Sequence, residues 1–328
     1  MNKIFPIILL LLAATIWTSC EKGIEINDDY KDITIVYGLI NPNDSVSYLR
    51  IEKAFLSNGD IYQDALNPDS NLYSYKLDVK ILADDGSRTI EFDTITIYNK
   101  EDGIFYSPKM VVYYAVTKNL LDKDKTYNLE ITNPKTGDFI SSSTGLVDGS
   151  RINFGYPNFS VSFINDKSVT FRSIKGARLY QLNIRFHYTE GLLVRGDTIF
   201  SEHYSDWLFP GITSRSLDGG EEMAIPYIGN EFYTNLLNTI PVKENVFRYS
   251  GQAEFILSMA DDIFNIYMDI NKPSTSIVLD RPAYTNIENG YGIFASRSFF
   301  SDYYGLNLLS IGKLREYESL NFVQRPIK

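Results

Sequence analysis

Cysteine and histidine are scarce in this sequence, and their scarcity excludes several classes of site. The 328 residues contain one cysteine, Cys20, and two histidines, His187 and His203. A single cysteine cannot form a disulfide within the chain, so packing must provide the stability of the fold. Two histidines with no cysteine near them are too few ligands for a structural zinc site. His187 falls on the polar face of a predicted strand and His203 in a polar stretch, so we interpret both as solvated surface residues.

The sequence also lacks an excess of positive charge and the short motifs of common enzymes. It has 31 basic and 41 acidic residues, a net charge of −10. An acidic chain without stripes of Lys and Arg is a poor candidate for nucleic-acid binding. No Gly-x-Ser-x-Gly, His-Glu-x-x-His, Walker A or Gly-x-Gly-x-x-Gly motif occurs. A Ser-His-Asp triad stays open, because its members need not be neighbours in sequence, but nothing singles out a serine. We therefore assign no catalytic, cofactor-binding or metal-binding residue.

Two acidic clusters are candidate metal-binding or catalytic sites, but neither has the residue spacing of a known site of that kind. Residues 218–222, Asp-Gly-Gly-Glu-Glu, lack the ordered ligand spacing of an EF-hand, and we interpret them as an acidic loop rather than a Ca²⁺ site. Asp261 and Asp262 are typical of the first turn of a helix. A glycosidase would need two carboxylates that converge across a cleft, which adjacency in sequence does not show.

The longest apolar run, from Ile4 to Ala14, is too short to cross a membrane as a helix, which needs about 20 apolar residues. Lys3 precedes the run and small residues follow it, so the segment predicts an export signal over residues 1–19. The end of this signal resembles the lipobox of bacterial lipoproteins, in which the cysteine is acylated, for example with palmitate, and becomes residue one. Trp17 stands where the lipobox prefers leucine. The alternative is an ordinary secretory signal, with Cys20 as a buried, inert thiol.

Acylation of Cys20 would hold the protein on a membrane. Several acyl chains give stable anchoring, because each buried methylene contributes about 0.8 kcal/mol. Residues 20–31 form a short tether with four acidic residues. Acidic residues just after the cysteine resemble the signal that sends many Bacteroidota lipoproteins to the outer leaflet, although a solvated linker would look the same. We predict a lipid-anchored outer-membrane protein that faces the cell surface, with the periplasmic face as the alternative.

Alternation of apolar and polar residues predicts an all-β fold, beginning with an immunoglobulin-like or fibronectin-like β-sandwich over residues 32–149. Strands at 33–40 and 45–54 are expected to pair as antiparallel neighbours. Residues 89–97 are predicted to form one strand, and the polar stretch 58–71 a loop. Residues 121–131 are similar to the corner of immunoglobulin-like modules, in which a polar turn leads into a Tyr-x-Leu-x-Ile strand.

Residues 150–328 are predicted to form a second, mostly β domain with two short helices. We expect strands at 159–164, 168–173, 177–188, 199–209 and 248–257. The apolar members of the third of these strands form its core face and are Tyr180, Leu182, Ile184, Phe186 and Tyr188. The helices are predicted at 231–240, with Phe232, Leu236, Leu237 and Ile240 on one face, and at 261–270. Residues 301–328 are expected to be a terminal strand and a polar tail.

Trp207 is the only tryptophan outside the export signal, and it stands beside the Pro210-Gly211 break. With Phe209 it forms a candidate partner contact, because exposed aromatic residues are frequent hot spots at interfaces. The alternative, which we favour, is that both rings pack in the core.

A segment near the C-terminus carries a family resemblance. Residues 286–294 read Asn-Ile-Glu-Asn-Gly-Tyr-Gly-Ile-Phe. They match an Asn-Ile-x-x-Gly-x-Gly-x-Phe segment that is typical of an uncharacterised family of Bacteroidota outer-membrane lipoproteins, often encoded beside TonB-dependent receptors. We interpret the segment as a structural turn and strand, in which Gly290 and Gly292 permit backbone conformations or close approaches that other residues resist. The resemblance implies a location and a genomic neighbourhood, with no known reaction.

Three functions follow from these observations. The first is a non-enzymatic accessory of a TonB-dependent transporter, which binds the transporter or helps to capture a nutrient at the cell surface. The second is an adhesin or a component of a fimbria-like assembly, because tandem sandwiches also serve there. The third is a glycan-active enzyme. The expected partners are membrane lipid, through Cys20, and a TonB-dependent receptor, with no cofactor.

Overall fold

The computed structural model describes residues 33–55, 60–98, 109–155, 160–272 and 284–325. The predicted signal peptide (1–19), Cys20 and the tether (20–31) lie outside the described residues. The described chain is mostly β, as predicted. No helix within the described ranges has both the length and the apolar character that a membrane crossing requires.

The strands in the described residues are β1 (Thr34–Ile40), β2 (Val46–Lys53), β3 (Asp78–Ala83), β4 (Thr89–Glu91), β5 (Asp93–Ile97), β6 (Met110–Val116), β7 (Thr126–Thr132), β8 (Phe139–Gly145), β9 (Ser160–Val161), β10 (Lys167–Arg172), β11 (Leu179–Val194), β12 (Asp197–Leu208), β13 (Ile212–Thr213), β14 (Glu222–Tyr227), β15 (Val246–Ala260) and β16 (Gly290–Leu306). The helices are α1 (Ile61–Ala65), α2 (Pro68–Asn71), α3 (Gly229–Thr239), α4 (Asp262–Asn271) and α5 (Leu308–Glu316).

One large sheet extends through both halves of the described chain. Its strands lie in the order β12-β11-β15-β16-β1-β2-β6-β5, with β13 paired to β11 and β9 to β16. β1 runs parallel to β16, and β2 pairs with β1 as the predicted antiparallel neighbour. Two smaller sheets, β4-β3-β7-β8 and β10-β14, accompany it. The large sheet therefore continues from one core of the protein into the other.

The first core is a β-sandwich, as predicted. The alternate residues of β1 and β2 that are buried, such as Val36 and Leu49, belong to the same cluster as Val79 and Leu129 from the four-stranded sheet. The phenolic oxygen of Tyr127 accepts a hydrogen bond from the backbone N–H of Asp122 at 2.8 Å. This side chain-to-backbone bond is the corner that the polar turn before the Tyr-x-Leu-x-Ile strand predicts.

The second core packs β11 and β15 against the β10–β14 ribbon, α3 and α5. All five residues predicted as the core face of β11 are buried. Aromatic rings fill this core, and Phe163 stacks on Phe232 of α3 with ring centroids 3.9 Å apart. A buried Arg248 on β15 contacts Glu190 at 3.0 Å and donates to the Leu320 carbonyl. That side chain therefore fastens residues near the C-terminus to the large sheet.

Residues 286–294 join the end of the chain to the first core. Ile287 and Phe294 belong to that core, although they are more than 130 residues from the rest of it in sequence. The side chain of Asn286 accepts from the N–H of Phe294 at 2.9 Å and donates to its carbonyl at 2.8 Å. A Cβ atom at Gly290 would lie 2.7 Å from the carbonyl oxygen of Thr34, and Gly292 has φ +99°. Close approach of β16 to β1 therefore requires both glycines, as the sequence predicts.

Polar side chains line the seam between the two cores. Ser296 accepts from the Val147 N–H at 2.9 Å, and Ser298 accepts from the Gly149 N–H at 3.0 Å. Asp261 accepts from the backbone N–H of Ser296 at 2.8 Å. These hydrogen bonds hold the segment that links the halves of the chain against the middle of β16.

Several sequence predictions were wrong in detail. Residues 89–97 form two strands in different sheets, because the buried Phe92 bonds to β3 and the chain then crosses to the large sheet. The predicted loop at 58–71 contains α1 and α2. Where a strand was predicted at 159–164, the described residues contain only the two-residue strand β9. The predicted polar tail contains α5, which Asn307 caps. Leu237, predicted on the core face of α3, is exposed, and Tyr233 is buried instead.

The two hydrophobic clusters divide the chain close to residue 147, with residues 287 and 294 returning to the first cluster. The domain boundary near residue 150 stays a prediction. Because β16 pairs with β15 on one side and with β1 on the other, it belongs to both halves.

Candidate functional site

The two faces of the large sheet differ in what covers them. One face bears both cores. On the opposite face, α4 packs on β16, and its Tyr267 shares a hydrogen bond with Tyr37 of β1. Across β12, β11 and β15, most side chains on this opposite face are partly or fully exposed, and we call this region the open face. Its central group, the open-face cluster, consists of Arg185, His187, Tyr204, Asp206, Glu254 and Tyr303.

Strand register brings the cluster together from four strands. Asp206, Arg185, Glu254 and Tyr303 are successive cross-strand partners on β12, β11, β15 and β16. Directly opposed residues on neighbouring strands lie about 5 Å apart, close enough for their side chains to interact. The row therefore forms a continuous polar and aromatic strip across the sheet.

Arg185 is fixed at the centre of this strip. Its Nε and Nη2 atoms donate to the two carboxylate oxygens of Asp206 at 2.8 and 3.0 Å, a two-point pairing that sets the plane of the guanidinium group. The guanidinium carbon also lies 4.1 Å from the ring centroid of Tyr204. This cation–π contact holds the exposed tyrosine in place.

His187 and Glu254 form the second pair in the cluster. His187 Nε2 lies 2.9 Å from Glu254 Oε2, and the imidazole lies between the rings of Tyr204 and Tyr303. The ladder between β11 and β15 shifts register at this point, with one residue of β11 opposite two of β15. Gly251 in this bulge approaches the carbonyl of His187, where a Cβ atom would lie 2.6 Å from the oxygen. Bulges commonly redirect side chains beside functional sites.

Both carboxylates of the cluster are held in the ionised form. The hydrogen bond from Arg185 lowers the pKa of Asp206, an effect larger than the opposing one of partial burial. Burial raises the pKa of Glu254, but hydrogen bonds from His187, Tyr303 and Ser301 together lower it below its ordinary value. The Glu254 carboxylate in turn raises the pKa of Tyr303. At neutral pH the cluster therefore presents two charged carboxylates, one guanidinium group and tyrosine hydroxyls.

The geometry of the open-face cluster suits binding. Tyr204 and Tyr303 are 57% and 49% exposed, and they flank the polar groups of the row. The imidazole of His187 lies between them, with ring centroids 6.5 Å from Tyr204 and 5.9 Å from Tyr303, so the two tyrosine rings are at most about 12 Å apart. Such a surface can stack two rings of an elongated ligand and hydrogen-bond to the groups between them.

Trp207 and Phe209, the candidate partner contact from the sequence, lie outside the open-face cluster. Trp207 points to the core side of β12 and packs against Phe209, with ring centroids 4.6 Å apart, and against Phe163 and Phe232. Phe209 is 7% exposed, which leaves little of its ring for a partner. Half-buried Trp207 borders a surface groove of about 690 Å³. Trp207 and Phe209 therefore lie on the core side of the sheet and are not part of the open-face cluster.

The other candidates from the sequence have local structural roles. His203 contacts Ser201 at 2.8 Å and stacks on Tyr188, on the core side of β12. Within 218–222, Gly219 and Gly220 have positive φ, and the Glu221 carboxylate accepts from the Arg215 N–H at 2.7 Å. Asp261 caps α4, as its position predicts, by accepting from the Phe264 N–H. Burial raises the pKa of this carboxyl group.

Metal ligands are not grouped in the part of the chain that the structure describes. There, no set of three or more His, Cys, Asp or Glu side chains is placed to hold a metal ion. Comparison with known proteins adds no assignment, because no family model and no curated protein matches the chain.

The sequence contained part of the signal for the open-face cluster. The alternation in 177–188 identifies Arg185 and His187 as outward-facing neighbours on one strand. It cannot supply Asp206, Glu254 and Tyr303, because those contacts depend on the strand order and register of the large sheet. A histidine interpreted as merely solvated thus has a carboxylate partner and aromatic neighbours.

Proposed function

We propose that this protein is a lipid-anchored, non-enzymatic surface protein that captures a hydroxyl-rich ligand, such as an oligosaccharide, on its open face and serves as an accessory of a TonB-dependent transporter. Acylated Cys20 would attach it to the outer membrane. The lipobox-like sequence at Cys20 and the resemblance of residues 286–294 support the location and the transporter.

The open-face cluster is the observation that carries the capture function. Tyrosine rings can stack on the apolar faces of sugar rings, while ionised carboxylates accept from hydroxyl groups and a fixed guanidinium donates to them. Arg185 and Glu254 are already oriented by neighbouring side chains, so little conformational entropy is lost when a ligand binds. An extended, shallow surface suits a chain of sugars better than a compact cofactor.

The protonation of the cluster favours binding over glycoside hydrolysis. Hydrolysis requires one carboxyl group that stays protonated as the general acid while the second is ionised. Asp206 and Glu254 both have lowered pKa values, so neither is suited to donate a proton near neutral pH. The cluster also spreads along a sheet face, whereas a glycosidase directs two carboxylates at one bond.

The transporter relationship can be tested by affinity purification from detergent-solubilised outer membranes. The tagged full-length protein is compared with the Cys20→Ala variant, which cannot be acylated. We expect one TonB-dependent receptor to copurify in near-equal amount with the wild type and to be lost with the variant. Recovery of the protein alone from both forms would contradict the accessory role.

A further inference from the structure

The outer edge of β12 is a long strand edge without a partner in the described chain. β12 is the last strand of the large sheet, and all twelve of its residues pair with β11 on one side only. A strand edge presents a row of backbone N–H and C=O groups that can pair with another extended chain. The chemistry of such an edge selects an extended peptide.

The pairing pattern identifies the groups that point outward. The Phe209 N–H donates to the Leu182 carbonyl, so the odd-numbered residues of β12 direct their backbone groups toward β11. The even-numbered residues direct theirs to the outer edge. Asn235 of α3 confirms this parity, because its side chain donates to the outward carbonyl of Asp206 at 3.1 Å. Beyond Asp206, the outward groups toward the hairpin tip belong to Thr198, Phe200, Glu202 and Tyr204.

Other edges in the described sheets are short or occupied. β5, at the opposite end of the large sheet, has five residues, and β4 has three. The edge of β8 is bridged by Glu288, whose backbone exchanges hydrogen bonds with Ser141. β12 contains neither Pro nor Lys, two residues that commonly protect an edge strand against pairing. With twelve residues, β12 is therefore the longest edge strand in the described sheets.

Side chains along this edge define the partner further. Phe200 and Tyr204 are both more than half exposed on the open-face side of β12. Glu202 lies between them and accepts from Thr189 at 3.0 Å. Arg325 donates to the same Thr189 hydroxyl at 3.4 Å, but no basic side chain of the described residues lies within ion-pair distance of the Glu202 carboxylate. A partner strand directly opposite would place apolar residues against the two rings and a Lys or Arg against the carboxylate.

We propose that an extended segment of a partner protein adds to β12 as an antiparallel strand along Thr198–Tyr204, with a basic residue opposite Glu202 and apolar residues on either side of it. Main-chain hydrogen bonds provide the affinity, and the alternate side chains provide the specificity. The inference rests on the backbone edge of β12 and shares Tyr204 with the proposed capture surface on the open face.

The probe is the synthetic peptide Val-Thr-Lys-Thr-Val-Thr-Thr at millimolar concentration, added to the full mature chain. We expect amide hydrogen exchange at Phe200, Glu202 and Tyr204 to slow at least fivefold, while exchange at the inward-facing amides of β12 is unchanged. A peptide of the same sequence with N-methyl groups on its lysine and second valine cannot donate to the edge and should give no protection. This control needs no change to the protein.

Two variants complete the test. Glu202→Pro removes an outward N–H without touching the β11 ladder and should abolish the protection, whereas Glu202→Ala keeps the N–H and should only weaken it. Unchanged exchange with the peptide would overturn the proposal, as would equal protection by the N-methylated peptide. Sedimentation that shows self-association through β12, abolished by Glu202→Pro, would also overturn it, because the edge would then belong to a second copy of the chain.

Discussion

Asp148 is a buried acid at the seam between the two cores, and its ionisation makes the stability of the protein depend on pH. Its carboxylate accepts from Lys123 at 2.8 Å and from Arg151 at 3.2 Å, and it caps the short turn Gly149–Arg151. Burial alone would raise the pKa of Asp148. Hydrogen bonds from Lys123, Ser150 and Asn43 outweigh that effect and lower the pKa to about 2.

A lowered pKa makes the stabilisation by Asp148 sensitive to acid. The contribution is complete above the unfolded-state pKa of about 4, and it is lost as the pH falls from about 4 to about 2. A difference of nearly two pKa units corresponds to about 2 kcal/mol of unfolding free energy. We expect Asp148→Asn to cost about 2 kcal/mol at pH 6 in urea unfolding and progressively less toward pH 2. The exposed Asp124→Asn is the matched control, and an equal loss at both pH values would contradict the account.

Residue-level features were predictable where they depend on local sequence. Asp261 as a helix cap, Tyr127 as a corner and the glycines at 290 and 292 each follow from near neighbours in the chain. Asp148 was not predictable as a buried acid, because Lys123 and Asn43 come from distant parts of the sequence.

At the scale of elements, β16 is the strand on which the arrangement of the sheet depends. It pairs in parallel with β1 over the whole of that strand, and in antiparallel fashion with β15. Gly292 permits the close approach to β1, because any Cβ atom there would overlap the carbonyl oxygen of Val36 and its positive φ disfavours other residues.

Gly292→Ala should therefore weaken the β1–β16 pairing. We expect it to lower the free energy of unfolding by about 3 kcal/mol, from backbone strain together with the displacement of β1. Urea unfolding measures the loss. Gly145→Ala serves as the control, because Gly145 has an ordinary φ and nothing lies within contact distance of an added Cβ. Similar stability losses for the two variants would show that the approach to Val36 is not a constraint.

Element prediction failed where tertiary contacts outweigh local pattern. Residues 89–97 alternate like one strand, yet the chain changes sheets at Phe92, which is set by the sandwich and not by the alternation. α5 was missed because its sequence exposes Leu308 and Leu309 and buries a serine, Ser310, so no apolar face is visible.

At the scale of the whole molecule, the first core is incomplete without the end of the chain. Ile287 and Phe294 are buried in it, and each contributes about 2 kcal/mol by removal of its side chain from water. Loss of both, together with β16, is comparable with the total stability of a small domain, about 5–15 kcal/mol. The sequence predicts two domains in order, but long-range pairing of this kind has no local signature.

A fragment of residues 32–150 should therefore not fold cooperatively by itself. Circular dichroism with urea titration measures this, and we expect a sloping change without a defined midpoint. Addition of a peptide spanning residues 284–306 should restore a cooperative transition, while the same peptide with Phe294→Ala should do so poorly. A cooperative transition of the fragment alone would show that its core is complete without β16.

The two parts of the proposed function also depend on different scales of the molecule. Cys20 and the acidic tether predict a location from local sequence alone, whereas the open-face cluster exists only because four strands from distant parts of the chain lie in one register. The capture role is therefore an inference from the assembled sheet, and the assembled protein has to be used to test it.

The most direct test of the capture role is an oligosaccharide array with the mature wild-type protein and the variants Tyr204→Ala, Tyr303→Ala and Tyr48→Ala. Tyr48 is similarly exposed but lies on β2, away from the cluster. We expect the wild type to bind a defined subset of oligosaccharides, the two cluster variants to lose affinity about tenfold, equivalent to about 1.4 kcal/mol, and Tyr48→Ala to bind normally. Absence of binding by the wild type, or equal affinity of all four proteins, would contradict the assignment of the open face as the capture surface.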